Sequence, residues 1–222
     1  MDITLYTISG APCPWRVMVG MAIKGIDYKT QLLSGADQEH KQDAYLRINP
    51  RGTMPTLLKD DVVIRDSIAI LAWLDRAFPE NPLFGETADE AAEIWQKSME
   101  AADYIPPAIS GLLRPIFFEN ASKATPELLE ASEKLRAELQ TWDAILKQTK
   151  FLAGAMPTAA DAVAFPHVRL IQRAMDTKSE IMADLGLANF DAFTTAMSSW
   201  IGRVETVSGV AQSFPPHWAE AA

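Results

Sequence analysis

The sequence has little of what a disulfide framework, a metal site or a membrane span requires. Its 222 residues include one cysteine, Cys13, which excludes an intrachain disulfide and a CxxC redox pair. Its three histidines, His40, His167 and His217, are widely scattered, so the sequence predicts no metal site. No run of about 18 consecutive apolar residues occurs, so we expect no membrane-spanning helix and no membrane partner.

An excess of basic residues is also absent. Lysine and arginine number 20 against 29 acidic residues, which gives a net charge of −9. Residues 1–85 carry nine basic and ten acidic side chains, whereas residues 86–222 carry eleven and nineteen. Nucleic-acid phosphates are bound by clustered lysine and arginine, so no nucleic-acid partner is predicted. A site for a small anion is expected in the more balanced first part.

The N-terminus lacks the basic segment of a signal peptide. A strand-like pattern begins at once, near Ile3. With neither a signal peptide nor a membrane span predicted, we expect a cytoplasmic protein.

Strands and helices alternate over the first part of the chain. Apolar and β-branched residues from Ile3 to Ile8 predict a buried strand. Helical spacing follows over Val17–Ala22, with Gly25 as a stop. Tyr28–Leu33 predicts a second strand, and the polar segment Asp37–Arg47 predicts a weak helix.

A hairpin and a capped helix complete this part. Two short apolar runs, Thr56–Leu58 and Val62–Ile64, flank the turn Lys59–Asp61 and predict an antiparallel pair. Asp66 then caps a helix with apolar positions over Ile68–Leu74. The order is βαβ-α-ββα. A parallel βαβ unit followed by a hairpin and a packing helix predicts a thioredoxin-like α/β domain.

A proline-rich segment, Phe78–Leu83, marks the predicted domain boundary. After it we find only helical patterns, one of which should be bent or divided at Pro106-Pro107. The sequence therefore predicts a thioredoxin-like domain over 1–79, a linker over 80–86, and an all-α helical bundle domain over 87–222.

Several segments in this order resemble glutathione transferases. In the first 85 residues they are Cys13–Val17, Lys24–Tyr28, Leu32–Ser34 with Glu39–Lys41, Asn49–Leu57 and Arg65–Ile70. The first looks like the zeta and rho classes, and the next two look most like the rho class. In the second domain, Gly154 followed by Thr158–Asp161 resembles a capping-box motif, which we interpret as a folding element.

The resemblance implies an enzyme that conjugates glutathione to hydrophobic electrophiles. Glutathione would be the co-substrate, with no metal, and the protein would be a homodimer. Two alternatives stay open. One is a monothiol transferase or reductase that acts through a mixed disulfide at Cys13. The other is a non-catalytic glutathione-binding module.

The resemblance also implies the residues that bind glutathione. The main chain of Met54, before a cis Pro55, would pair with the cysteinyl backbone like an added strand. Ser67 would donate to the γ-glutamyl carboxylate and Asp66 would accept from its ammonium, at a helix start that favours anions. His40 would contact the glycyl end. An ordinary trans proline and a simple N-cap are the alternatives for Pro55 and Asp66.

The group that activates the thiol is the difficult point. Only the thiolate is a competent nucleophile, and zeta and rho proteins carry a serine where this chain has Ala11. Two nearby candidates are Cys13, at a helix start beside Arg16, and Ser9, at the end of the first strand. A buried apolar cysteine and a turn serine are the structural alternatives.

The electrophile would lie against helix residues of the second domain. Tyr104, Arg114 and Phe117 are the candidates, together with Phe118, because they follow the predicted helix bend. Aromatic residues at helical spacing are also common in cores.

Overall fold

A computed structural model describes residues 2–221 and, among them, the side chains of residues 2–218. The chain divides into two compact units. One unit contains the residues up to Thr87 together with the segment from Glu205 onward. The other spans Ala88–Val204.

A mixed four-stranded sheet forms the centre of the first unit. Its strands are β1 (Ile3–Thr7), β2 (Lys29–Leu32), β3 (Thr56–Lys59) and β4 (Val62–Arg65), in the order β2-β1-β3-β4. The first two strands are parallel, and the other pairs are antiparallel. This is the thioredoxin-like arrangement that the element order predicts.

Three α-helices accompany the sheet: α1 (Pro12–Lys24), the short α2 (Asp43–Leu46) and α3 (Ser67–Ala77). A 3₁₀ turn at Glu39–Lys41 precedes α2. Helix α1 is capped by Gly25, which has a left-handed φ of 68°. The Gly25 amide donates to the Ala22 carbonyl, and the Ile26 amide donates to the Met21 carbonyl. The buried core consists of Ile3, Leu5, Val17, Met21, Leu57, Ile70 and Leu74.

Close packing and one buried lysine join α1 to α3. A Cβ on Gly20 would lie 2.2 Å from the Cδ2 atom of Leu71, so only glycine allows this approach. Lys24 is 5 % exposed, and its Nζ donates to the carbonyls of Glu80 and Asn81 at 2.9 and 3.0 Å. These contacts hold α1 against α3 and against the segment that follows α3.

The second unit is built of helices, and the residues described there include no β-strand beyond an isolated bridge between Phe151 and Gly154. Its helices are α4 (Ala88–Phe118), α5 (Pro126–Leu146), α6 (Ala159–Thr177), α7 (Ser179–Asp184) and α8 (Thr195–Glu205), the last ending at the unit boundary. The sequence predicts that this helix is bent or divided at Pro106-Pro107. In the structure both prolines lie inside α4, which continues past them without division. Across the described residues, no helix combines the length and hydropathy needed to cross a membrane.

A buried carboxylate confirms that Thr158 and Asp161 form a folding element. Asp161 is fully buried and accepts hydrogen bonds from the amides of Thr158 (2.8 Å) and Leu152 (3.0 Å). The indole of Trp200 donates to the same carboxylate at 2.7 Å. The carboxylate therefore joins two helices and the loop before α6.

The C-terminal strap, residues 206–218, packs on α1 of the first unit. The sequence predicts this segment to be part of the helical domain; in the structure it groups with the first unit and contacts Ser9, Trp15 and Ala22. The indole of Trp15 donates to the Ser213 hydroxyl at 2.7 Å. A Cβ on Gly209 would lie 3.2 Å from the Cβ of Ala22. The strap thus follows one face of α1.

Candidate functional site

One end of the sheet collects the predicted site segments. Thr56 is paired with Tyr6 of β1 on one side and with Arg65 of β4 on the other. Met54 and Pro55 precede Thr56, and Asp66 follows Arg65. The register therefore brings the end of β1, the start of β3 and the start of α3 to the same edge.

Asp66 is the N-cap of α3, as predicted. Its Oδ1 accepts from the amides of Ile68 and Ala69 at 3.0 and 3.4 Å, while the side chain itself is exposed. Its φ of 75° is in the left-handed region, where aspartate and asparagine are enriched among residues other than glycine. The cap role is therefore observed, and it leaves the carboxylate facing solvent at a positive helix end.

A buried arginine lies behind Ser67. Arg16 of α1 is 5 % exposed and Ser67 is 4 % exposed, and the Nη1 of Arg16 donates to the Ser67 hydroxyl oxygen at 3.4 Å. A guanidinium has only donors, so the Ser67 hydrogen stays available for another acceptor. No partner for the buried Arg16 Nε is found within the described part of the chain.

The charge of Arg16 is the main electrostatic feature of this edge. Burial lowers the pKa of Arg16, and the nearby groups of Cys13 and Asp66 act in the opposite direction. Arg16 thus links the start of α1 electrostatically to the start of α3. From the sequence, Arg16 is only a neighbour of Cys13. Its contact with Ser67 could not be predicted, because the two residues are 51 positions apart.

The Met54-Pro55 bond is cis, as the resemblance implied. The preceding carbonyl of Thr53 accepts from the Tyr45 hydroxyl at 2.7 Å and from the Asn49 amide at 2.8 Å. Among the residues described, nothing bonds to the main-chain N–H or C=O of Met54. These two groups are thus available to pair with an extended peptide.

His40 lies in the 3₁₀ turn that packs on this loop. Its carbonyl oxygen would be 2.8 Å from a Cβ on Gly52, whose φ is 56°. Its buried Nδ1 has no hydrogen-bond partner among the described residues. Lys41, next to it, donates from Nζ to the carbonyl of Gly52 at 2.6 Å, so its contact here is with the main chain.

The β1–α1 loop contains the candidates for thiol activation. Ala11 is the N-cap of α1 and makes no side-chain capping bond. Cys13, in the first turn, is a free, partly exposed thiol. Ser9 is exposed, and its Oγ lies 3.0 Å from the Nδ1 of His217, which the strap carries. No local pattern around Ser9 or His217 indicates this pairing, because the two residues are 208 positions apart.

The strap also closes one side of a cavity of about 970 Å³ beside the loop. Apolar residues of α1 and of the strap line much of it, among them Met18, Met21 and Phe214. Ser9, Gly10, Ala11 and His217 line it too. Burial raises the pKa of Tyr28, another lining residue, to about 12, so its phenol stays neutral.

The three predicted electrophile contacts lie on α4 and do not form one group. Tyr104 is 61 % exposed, and Arg114 pairs with Glu119 at 3.2 Å. The ring centroid of Phe117 lies 5.9 Å from the Nζ of Lys178, and Phe118 is exposed. Tyr104 is ten residues, about 15 Å along the helix, from Arg114.

Comparisons with known proteins agree with this fold along most of the chain. Family models for the N-terminal and C-terminal domains of glutathione S-transferase match residues 11–77 and 105–198. Glutathione S-transferase F9 of Arabidopsis thaliana is 31 % identical over 69 % of this chain and 74 % of its own. Maleylacetoacetate isomerase of Dictyostelium discoideum is 40 % identical over 40 % of this chain and 41 % of its own.

A solved structure extends the similarity to both units. The crystal structure of a glutathione S-transferase from the Antarctic clam Laternula elliptica has a TM-score of 0.85 and 29 % sequence identity. It covers 99 % of this chain, and this chain covers 95 % of it.

Proposed function

Because the chain belongs to the glutathione S-transferase family, we propose that it conjugates the glutathione thiolate to hydrophobic electrophiles. Family membership makes it a transferase with glutathione as co-substrate. The observation that supports binding at this site is the meeting of Met54, Asp66 and Ser67 at one sheet edge. That the electrophile is hydrophobic is part of the proposal.

Glutathione would be bound along this edge as an added strand. The free N–H and C=O of Met54 suit its cysteinyl backbone, and the Ser67 hydroxyl has a hydrogen available for the γ-glutamyl carboxylate. Asp66 would accept from the ammonium, and His40 would contact the glycyl end. Calorimetry with glutathione and S-methylglutathione tests this mode, and absence of heat from folded protein would contradict it.

The activity would be measured with a panel of electrophiles. The panel should contain activated aryl halides and unsaturated carbonyl compounds, and also maleylacetoacetate, because one relative is named for its isomerisation. Conjugation of a hydrophobic member is the expected result. Tyr104, Arg114 and Phe117 stay proposed contacts, and exchanging each for alanine should change KM for the electrophile but not for glutathione.

A second candidate function uses Cys13. Cys13 is a free, partly exposed thiol at the first turn of α1, where a disulfide substrate could reach it. Its thiolate would attack the glutathionyl sulfur of a mixed disulfide, releasing the other thiolate and forming a Cys13–glutathione disulfide. A glutathione thiolate would then attack this bond, releasing glutathione disulfide and restoring Cys13.

Exchange of Cys13 for serine separates the two functions. The monothiol activity should disappear, whereas conjugation should persist if another group activates the glutathione thiol. Reductase activity that survives Cys13→Ser would contradict the second function.

Assembly and location are proposed from the family. We expect a symmetric dimer, the commonest oligomer of soluble proteins. Sedimentation that shows only monomer at micromolar concentration would contradict this. A cytoplasmic location would keep the free Cys13 thiol reduced, and cell fractionation tests it.

A further inference from the structure

The loop that should activate the thiol has no side-chain donor of its own at the family's serine position. Ala11 fills that position, and a methyl group neither donates nor accepts a proton. The structure places an imidazole at this loop from the other end of the chain. The Nδ1 of His217 lies 3.0 Å from the Oγ of Ser9, across 208 residues of sequence.

The imidazole lies directly against the main chain of the loop. A Cβ built on Gly10 would be 3.1 Å from the Cε1 and 3.4 Å from the Nε2 of His217. Gly10 also has a φ of 79°, which glycine adopts without strain. Gly10 therefore leaves space for the imidazole ring of His217, and the Nε2 atom of that ring lies beside the β1–α1 loop.

Several contacts anchor the strap that carries His217. The Ser213 hydroxyl accepts from the Trp15 indole at 2.7 Å and donates to the Val210 carbonyl at 2.6 Å. The ring of Trp15 meets the rings of Phe214 and Trp218 edge-on, with centroids 5.0 and 5.2 Å away. His217 is thus flanked by two residues that pack on α1.

We propose that His217 is the base that takes the proton of the glutathione thiol, with Ser9 as the residue that positions its ring. This inference rests on the proposed conjugating function. The Nδ1–H of His217 would donate to the Ser9 oxygen, which leaves the lone pair of Nε2 free. Nε2 accepts the proton from sulfur, giving a thiolate beside an imidazolium.

The reaction then balances without a further reagent. The thiolate attacks the electrophilic carbon, a C–S bond forms, and the bond to the leaving group breaks. The electron pair departs with the leaving anion, and the imidazolium returns its proton to solvent. With an unsaturated carbonyl compound, the proton goes to the carbon next to the carbonyl group instead.

Two other ionisable residues, Asp27 and Tyr28, line the same cavity. The phenol of Tyr28 stays neutral because burial raises its pKa to about 12. The side chains that pack the strap around His217, Trp15, Phe214 and Trp218, carry no charge. The cavity beside the pair gives the electrophile room to approach.

The test compares His217→Gln and Ser9→Ala with Ala211→Ser, an exposed strap position outside the cavity that serves as control. The ultraviolet absorbance of the bound thiolate is titrated against pH, and kcat/KM is measured over the same range. A general base contributes about 10²-fold or more, so His217→Gln should lower kcat/KM at neutral pH by about a hundredfold.

The same substitution should move the titration of the bound thiol upward, toward the value of about 8.5 for a free thiol. Ser9→Ala should also move the titration of the bound thiol upward, but by less than His217→Gln does. Added imidazole should restore part of the activity of His217→Gly, which a purely structural role for the ring would not allow. Ala211→Ser should match the wild type in both measurements.

Two results separate the inference from the function on which it rests. If the wild type conjugates and the His217→Gln titration is unchanged, His217 is not the base and the inference is wrong. If the wild type takes up no glutathione by calorimetry, the proposed function fails and the inference fails with it. Unchanged circular dichroism and an unchanged unfolding midpoint would show that each variant still folds.

Discussion

Exchange of Arg16 for methionine should weaken glutathione binding without weakening the fold. Arg16 is 5 % exposed, yet its hydrogen bond to the Ser67 oxygen is long, at 3.4 Å. Burial lowers its pKa, which means that the charged form is poorly compensated. Replacing a buried charge by an apolar side chain of similar length is often neutral or stabilising.

The expected loss of affinity follows from the role of Ser67. A hydrogen bond involving a charged group contributes about 1.5–3 kcal/mol, and the long distance favours the lower end. We therefore expect Arg16→Met to raise the Kd for glutathione about tenfold. The loss arises because the Ser67 hydroxyl is no longer oriented by a donor and the γ-glutamyl carboxylate loses a nearby positive charge.

The assay is calorimetric titration with two peptides. Glutathione should bind about tenfold more weakly to Arg16→Met, whereas cysteinylglycine, which lacks the γ-glutamyl group, should bind both proteins equally. Arg76→Met, an exposed position on α3, is the matched control. The unfolding midpoint should not fall. A lower midpoint with unchanged glutathione affinity would show that Arg16 is only a packing residue.

Three further predictions concern Asp66 at the sheet edge and two packed residues of the first unit, Gly20 and Tyr28. Asp66→Asn should keep the α3 cap and the left-handed φ, so stability is retained while glutathione affinity falls; Asp66→Ala should also cost about 1 kcal/mol of unfolding free energy. Gly20→Ala should cost about 1–3 kcal/mol in urea unfolding, because its methyl would meet Leu71, and an unchanged midpoint would contradict this packing. The pKa of Tyr28, raised to about 12, means that the folded state holds the proton more tightly. The contribution of Tyr28 to the free energy of unfolding is therefore present below about pH 10 and lost as the pH rises toward 12. In Tyr28→Phe, this part of the fall in stability between pH 10 and 12 should be absent.

The elements of the first unit were predictable because their signals are local. Alternation marks β1, helical spacing and Gly25 mark α1, and Asp66 marks the start of α3. Each depends on backbone geometry and capping within a few residues. The uninterrupted α4 was not predictable in this way. Prolines 106 and 107 oppose a helix locally, but buried residues such as Ile105 and Ile109 pack this segment in helical form.

Sequence by itself therefore determined the strands, the caps, the thioredoxin-like order and the segments that resemble glutathione-binding motifs. Only the tertiary structure decided which side chains stand behind those motifs. Arg16 meets Ser67 across 51 residues, and His217 meets Ser9 across 208. Periodicity and spacing describe neighbours along the chain. Burial of a charge and contact between the two ends of a chain depend instead on how distant elements pack.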